Sequence, residues 1–194
     1  NDEKTGFIAA SVGTDGKLVA DSASSVTVTA DGELTDANIQ AAKATTVTIK
    51  AGATKAASIY ELAASKATTL NLEVGSKGLD MDGTGTTDLS LVQTITATNS
   101  GHLDFTGVAL EDVANATFTG SGNDAKLTLT TVGDANVTYN QNLTITGQKA
   151  GLTVGAIDAN TGAATVNISG VTGDATLNAI NGNAGVTLNA KDLK

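Results

Sequence analysis

The fold is decided by a short stretch, Ala44-Thr45-Thr46-Val47-Thr48-Ile49-Lys50-Ala51-Gly52, in which apolar residues alternate with Thr or Lys. Such alternation places Val47 and Ile49 on one face and the polar residues on the other, as a strand with one buried face requires. Related stretches recur along the chain, at 24–29, 67–72, 94–97, 116–120, 143–147, 164–168 and 185–189. The sequence therefore predicts many copies of one short β-strand.

The repeat has a nearly constant length. We take the first inward apolar residue of each main strand to be Val26, Val47, Leu70, Ile95, Phe118, Leu143, Val166 and Val186. The spacings between them are 21, 23, 25, 23, 25, 23 and 20 residues. A period in the low twenties is typical of a repeat array in which each repeat stacks on its neighbours.

This pattern predicts an all-β fold, a parallel β-solenoid with coils of roughly 20–25 residues and two or three strands per coil. We expect a single domain. Residues 1–23 would form a lead-in hairpin that caps one end, and residues 24–194 the repetitive solenoid. Two Ala-rich stretches, 37–42 and 58–64, are expected to form one helical turn each. Tandem antiparallel β-sandwiches remain an alternative, since their strands also recur every 8–12 residues or so.

Composition excludes several classes of function. The formal net charge is -9, all 11 basic residues are Lys, and there is no Cys and only 3% aromatic residues. Such an acidic chain has no basic stripe for nucleic acid. No apolar run approaches the roughly 20 residues of a membrane-spanning helix, so we expect no membrane insertion. No signal peptide is recognisable, and the start at Asn1 suggests a processed or excised product.

The best chemical motif is Asp80-Met81-Asp82-Gly83-Thr84-Gly85-Thr86-Thr87-Asp88. Calcium prefers several hard oxygen ligands from a sharply turning loop, which alternate Asp residues followed by Gly supply. A second motif is Gly120-Ser121-Gly122-Asn123-Asp124, with Asp134 further along. We therefore predict calcium as a cofactor, with Asp80, Asp82, Asp88, Asp124 and Asp134 as candidate ligands. The alternative is that these residues form solvated polar turns.

Catalysis is not expected, and no catalytic or cofactor-binding residues are assigned. His102 is the only His, which leaves little for a nucleophilic triad or a transition-metal centre. A polysaccharide-active β-helix enzyme is the alternative from a different class. It would use paired carboxylates, with Asp80, Asp82, Asp104, Glu111 and Asp112 as candidates. The chain has no Trp and only two Tyr, so it lacks aromatic platforms for sugar rings.

Pairs of Thr two residues apart offer another alternative, because a flat Thr array on a solenoid can bind ice. The pairs expected on one outer face are Thr27/Thr29, Thr46/Thr48, Thr94/Thr96, Thr128/Thr130 and Thr144/Thr146. The same pattern arises wherever a strand alternates core and solvent residues.

Two segments, 110–129 and 164–170, resemble the repetitive region of bacterial surface-layer (S-layer) proteins, in particular the Gram-negative ones exported by type I secretion and related to calcium-binding repeat toxins. The resemblance covers roughly residues 24–190. It implies a secreted structural protein on the cell surface that self-assembles into a lattice, with lateral contacts often bridged by calcium.

We therefore expect an extracellular S-layer component, with further copies of itself in a lattice or filament as partners and a cell-surface glycan as a second partner. An adhesin stalk or extracellular filament subunit is the alternative within the same broad class.

Overall fold

The computed structural model is a parallel β-solenoid, and it describes residues 5–9 (main chain), 16–30, 32–81, 87–134 and 138–193. Every strand pair in it is parallel, and the described residues contain no helix. The predicted solenoid is thus confirmed, and the antiparallel sandwiches are excluded. Each coil contributes one strand to each of two sheets, so the strand count per coil is two.

The odd-numbered strands form a nine-stranded sheet, which we call sheet A. Its strands, in spatial order, are β1 (Thr5–Ala9), β3 (Ser25–Thr29), β5 (Thr46–Ala51), β7 (Thr69–Val74), β9 (Thr94–Asn99), β11 (Asn115–Gly120), β13 (Gln141–Thr146), β15 (Ala163–Ser169) and β17 (Gly185–Lys191).

The even-numbered strands form an eight-stranded sheet, sheet B. Its strands are β2 (Lys17–Val19), β4 (Leu34–Gln40), β6 (Ala57–Ala63), β8 (Leu79–Met81), β10 (His102–Leu110), β12 (Lys126–Gly133), β14 (Gly151–Asp158) and β16 (Ala175–Asn181).

The core consists of rows of aliphatic residues that stack from coil to coil. One row contains Val26, Val47, Leu70, Ile95, Ala116, Leu143, Val166 and Leu188. The prediction was wrong for two of its members. Phe118 lies in the next row, opposite Ala97 and Ile145, and Val186 pairs with Ala164. In both strands, the residue that belongs to this row lies two positions away from the residue we expected, on the same face of the strand. The alternation of apolar and polar residues does not distinguish these two positions.

The true coil length varies more than the sequence indicated. Equivalent positions are 21 residues apart between Val26 and Val47, and 27 apart between Ala116 and Leu143. The extra length lies between β12 and β13, outside the stacked strands. Length differences are therefore absorbed in turns, while the register of the strands is kept.

The strands of sheet B bend in the middle because two successive residues face outward there. In β6 these are Tyr60 and Glu61, which lie between the buried Ile59 and Leu62. The same interruption occurs in β10, where Thr106 and Gly107 follow the buried Phe105. A strand with strict alternation would run straight. The bend allows each coil to close with two strands.

The Ala-rich stretches form strands β4 and β6 and the turns after them, so the expected helical turns were wrong. These turns lead from sheet B to sheet A, and several of them close with a main-chain hydrogen bond from the fourth residue to the carbonyl of the first. These bonds run from Ala23 to Ala20, Ala44 to Ala41, Ala67 to Ala64 and Val92 to Leu89. The Ala residues fit because the first and fourth positions are largely buried.

The two N-terminal segments that we expected to form a hairpin lie in different sheets. β1 pairs with β3 and β2 pairs with β4, both in parallel. The turn proposed between them falls mostly on residues 10–15, outside the described residues. The division into a cap at 1–23 and a solenoid at 24–194 stays a prediction.

Two buried amides join coils that are not adjacent. Asn99 and Gln148 are fully buried, and their side chains exchange hydrogen bonds of 3.0 and 2.9 Å. Asn99 Nδ2 also lies within hydrogen-bonding distance of the carbonyls of Gly101 and Lys126. A strand of the intervening coil ends at Gly120, where the main chain approaches that of Gly147 closely.

Gly120→Ala should destabilise the solenoid, because an added Cβ would lie 2.2 Å from the carbonyl oxygen of Gly147. Such overpacking costs about 1–3 kcal/mol of unfolding free energy. Gly32→Ala is the matched control, since its Cβ would meet nothing within 4 Å. Urea unfolding followed by circular dichroism measures both changes. Equal stability of the two variants would contradict the close approach at Gly120.

Candidate functional site

The most concentrated group of ionisable side chains lies on the outer face of sheet B. Asp80 in β8 pairs in register with Asp104 in β10, because both occupy the same outward position in successive coils. With Lys77 and His102 they line a shallow cleft of about 120 Å³. Its remaining lining comes from Ala56, Ala57, Gly78 and Leu79.

His102 is held by two neighbours. Its Nε2 lies 2.8 Å from Oγ1 of Thr128 and 3.6 Å from Oδ2 of Asp104. The other carboxylate oxygen of Asp104 accepts hydrogen bonds of 2.8 and 2.6 Å from the main-chain N and Oγ1 of Thr106. Asp104 is thereby fixed in orientation beside the imidazole.

The pKa of His102 is lowered from its ordinary value of 6.5, mainly because burial disfavours the charged imidazolium. The carboxylates of Asp104 and Asp80 oppose this shift, and Lys126 adds to it. Burial prevails over the nearby carboxylates, so the imidazole is mostly neutral at pH 7. The contact with Asp104 is then a polar contact between a neutral ring and a carboxylate.

The cleft offers two carboxylates and a neutral imidazole, but little room. Pockets that bind small molecules usually enclose about 300–1,000 Å³. Of the carboxylates considered for glycan cleavage, Asp80 and Asp104 are brought together, whereas Glu111 and Asp112 follow the far end of β10. Asp82 lies outside the described residues.

The described calcium candidates are placed at separate positions. Asp80 is opposite Ser58 in β6, and Asp88 is opposite Ala63 near the end of the same strand. Asp124 precedes β12 and Asp134 follows it, which separates them by about 25 Å at the rise of a strand. Within the ranges that the structure describes, no three His, Cys, Asp or Glu side chains are arranged to hold a metal.

One of these candidates, Asp88, has a local structural role, and so do two glycines beside another. The Oδ1 atom of Asp88 accepts hydrogen bonds from the N and Oγ of Ser90 and so orders the start of a turn. Gly120 and Gly122 have a packing role in the motif that ends at Asp124. A Cβ on Gly122 would lie 2.4 Å from the carbonyl oxygen of Ser100. Asp88 and these two glycines thus have structural roles, and calcium binding stays a prediction.

Tyr139 was not among the residues predicted to be functional. Its hydroxyl donates a hydrogen bond to the main-chain oxygen of Asp112, one coil earlier. Burial, then the charge of Asp112 and a hydrogen bond to it, raises the pKa of Tyr139 to about 12, with Asp134 adding to the shift. The hydroxyl therefore stays protonated at neutral pH. Its hydrogen bond links the segment before β13 to the turn of the preceding coil that contains Asp112.

The outer face of sheet A is a regular array of small polar residues. Its middle row is Thr27, Thr48, Asn71, Thr96, Thr117, Thr144, Asn167 and Asn189. Four of the five Thr pairs expected to share a face lie on this sheet. The fifth was misplaced, because Thr128 and Thr130 belong to β12 in sheet B. An ion pair of 2.6 Å between Lys50 and Glu73 interrupts the neighbouring row.

Comparison with known proteins gives no relative: no family model, no curated protein and no solved structure matches this chain. None of the described residues forms a helix long and apolar enough to cross a membrane.

His102 should titrate below pH 6.5, and as the only His it gives a single imidazole signal in NMR. Asp104→Asn should lower the pKa further, because it removes a charge that favours the imidazolium. Lys126→Gln should raise it. The pKa of His102 is lower in the folded state than in the unfolded state. Its contribution to the free energy of unfolding therefore falls as the pH drops below 6.5.

The control is Lys149→Gln, which removes a Lys that is not among the groups shifting His102. A pKa above the ordinary value in the unmodified protein would show that the carboxylates prevail over burial.

Proposed function

We propose that this protein is an extracellular structural component that self-assembles into a surface lattice, as S-layer proteins do. One observation carries the proposal, the parallel β-solenoid in which the outward side chains of successive coils lie in register. Such a stack presents extended and regular surfaces, and solenoid proteins use surfaces of this kind for binding.

The rest of the surface suits dense packing of copies. The outer face of sheet A consists mainly of Thr and Asn, and 16% of the whole chain is charged. At a net charge of -9, copies packed side by side repel one another unless cations lie between them. Calcium is the proposed cation, since it binds carboxylate oxygens of several geometries.

Location outside the cell agrees with the composition. The chain has no Cys, and its solenoid core is continuous, so its stability does not depend on disulfides. A cell-surface glycan is the proposed anchoring partner. An adhesin stalk or filament subunit would use the same rigid rod without a two-dimensional lattice.

Negative-stain electron microscopy of the purified protein, with calcium and after chelation, tests the proposal. We expect sheets that form with calcium and dissolve when it is chelated. Asp80→Asn and Asp88→Asn should raise the calcium concentration needed, while Asp174→Asn, outside both motifs, should leave it unchanged. Filaments under all conditions would favour the filament subunit. Monodisperse rods with and without calcium would refute assembly by this chain.

Activity on acidic glycans would instead support the polysaccharide-active alternative, with Asp80 and Asp104 as the carboxylates to replace. The small cleft beside them argues against this reaction.

Ice binding is a second candidate, favoured by the alignment of Thr in the middle row of sheet A. Thr96→Lys would break that row and should abolish most inhibition of ice growth, measured as thermal hysteresis. Thr176→Lys, on the exposed face of β16 in sheet B, is the control and should have little effect. Ice crystals that grow unchanged in the presence of the unmodified protein would exclude this candidate.

A further inference from the structure

The turns from sheet B to sheet A stack into a column with an unusual distribution of charge. We call the second and third residues of each turn the turn column. Successive coils contribute Asp21 and Ser22, Ala42 and Lys43, Ser65 and Lys66, Ser90 and Leu91, and Glu111 and Asp112. The first of these coils carries the acidic Asp21. The charges are then basic in two successive coils, absent in the next, and acidic in the one after that.

The turns are held in line by main-chain hydrogen bonds just after each of them. Thr45 donates to Ser24, Thr68 to Thr45, Gln93 to Thr68 and Ala114 to Gln93. Successive coils are about 4.8 Å apart, as neighbouring strands are. Lys66 and Asp112 thus lie one coil on either side of Leu91, at equal distances along the column.

The side chains of the turn column are available for an external contact. Lys43, Lys66, Leu91 and Glu111 are exposed, and Asp112 is half-buried. Leu91 is 41% exposed and is the large apolar side chain of this column. Among the described residues, neither Lys43 nor Lys66 has an ion pair within the chain.

The opposite side of the solenoid, where sheet A leads into sheet B, also carries charges of both signs. Its turns contribute Glu33, Lys55, Lys77, Asp124, Lys149 and Asp174, with one uncharged turn at Ser100 and Gly101. Lys55 is paired with Glu33 at 3.1 Å within the chain, and the Nζ of Lys149 lies 3.4 Å from Oδ1 of Asn123. That side differs from the turn column because one of its basic side chains already has an ion-pair partner, and because the basic Lys149 follows the acidic Asp124.

We propose that the turn column is a lateral contact between two copies of this chain that lie antiparallel. A two-fold axis passes beside Leu91, so that the two Leu91 side chains meet. Lys66 of each copy then faces Glu111 and Asp112 of the other, because the axis exchanges the coils on either side. The interface is self-complementary, as a two-fold contact requires.

Other carboxylates near the column are compatible with this arrangement. Asp134 follows β12, one coil beyond Asp112, and extends the acidic half toward Lys43 of the second copy. Asp88 lies beside the axis, where its Oδ1 is engaged by Ser90. Two Asp88 carboxylates near one axis repel each other, which makes this the point of the interface where a cation would help most.

The contact is narrow and depends on exposed charges, so a single pair of copies binds weakly and more weakly at high salt. In an array each copy also makes other contacts, and many weak ones then act together. The inference rests on the proposed self-assembly, and it specifies one of the contacts.

Charge reversal tests the contact. The variant Lys43→Glu/Lys66→Glu has an acidic column, and Glu111→Lys/Asp112→Lys has a basic one. By sedimentation equilibrium at low salt, we expect each variant alone to associate at least tenfold more weakly than the unmodified protein. An equal mixture of the two should associate again, because every contact is then between opposite charges. Recovery in the mixture also shows that both variants are folded.

The control is Lys55→Glu/Lys149→Glu, which changes the same number of Lys residues on the opposite side and should not affect lateral association.

A cross-link tests the geometry directly, because the chain has no Cys of its own. Leu91→Cys should form a disulfide-linked dimer under mild oxidation much faster than Lys149→Cys. Equal cross-linking rates for the two Cys variants would overturn the turn column as an interface. Charge-reversal variants that associate as tightly as the unmodified protein would overturn it as well. If sheets still formed with calcium in that case, the lattice proposal would stand without this contact. If the unmodified protein is monomeric at low salt and forms no sheets, both proposals fail.

Discussion

The structure depends on one constraint: parallel strands stack about 4.8 Å apart, so each residue lies directly on its counterpart in the next coil. Many neighbours in the core rows are therefore aliphatic residues of similar size, such as Val47 on Val26, whereas Phe118 lies between the smaller Ala97 and Ile145. Where the main chains approach too closely for any side chain, the residue is glycine, as at Gly120. Two of the buried polar residues, Asn99 and Gln148, satisfy each other by hydrogen bonds.

The same constraint shapes the functional surface. Outward positions also stack, so the surface of the described coils consists of rows and columns of side chains. Asp80 lies beside Asp104 only because their coils are in register, and the cleft between them is correspondingly shallow. A surface made of repeated rows is better suited to binding other extended surfaces than to enclosing a small substrate.

The alternation in single strands and its period predicted the fold, because both follow directly from one buried face and from stacking. The exact register did not follow, since Ala116 and Phe118 fit the same alternation and only the hydrogen-bonded ladder distinguishes them. The bend in sheet B could not be predicted from the sequence either. Two outward-facing residues in succession, such as Tyr60 and Glu61, have the pattern expected of a break between two strands. Pairs of neighbours in successive coils, such as Asp80 and Asp104, can be predicted only when the register of the strands is known.

Turns have more freedom than strands in a solenoid. A strand residue must match both neighbours in its row, whereas a turn can change length or charge without disturbing the stack. The long turn after β12 illustrates this, since Tyr139 fastens it to the preceding turn while the strands on either side stay in register. Specificity for a partner therefore accumulates most easily in the turns. The change of charge along the turn column, from Lys43 and Lys66 to Glu111 and Asp112, gives the column a direction, and a second copy in the opposite direction is the partner that we propose for it.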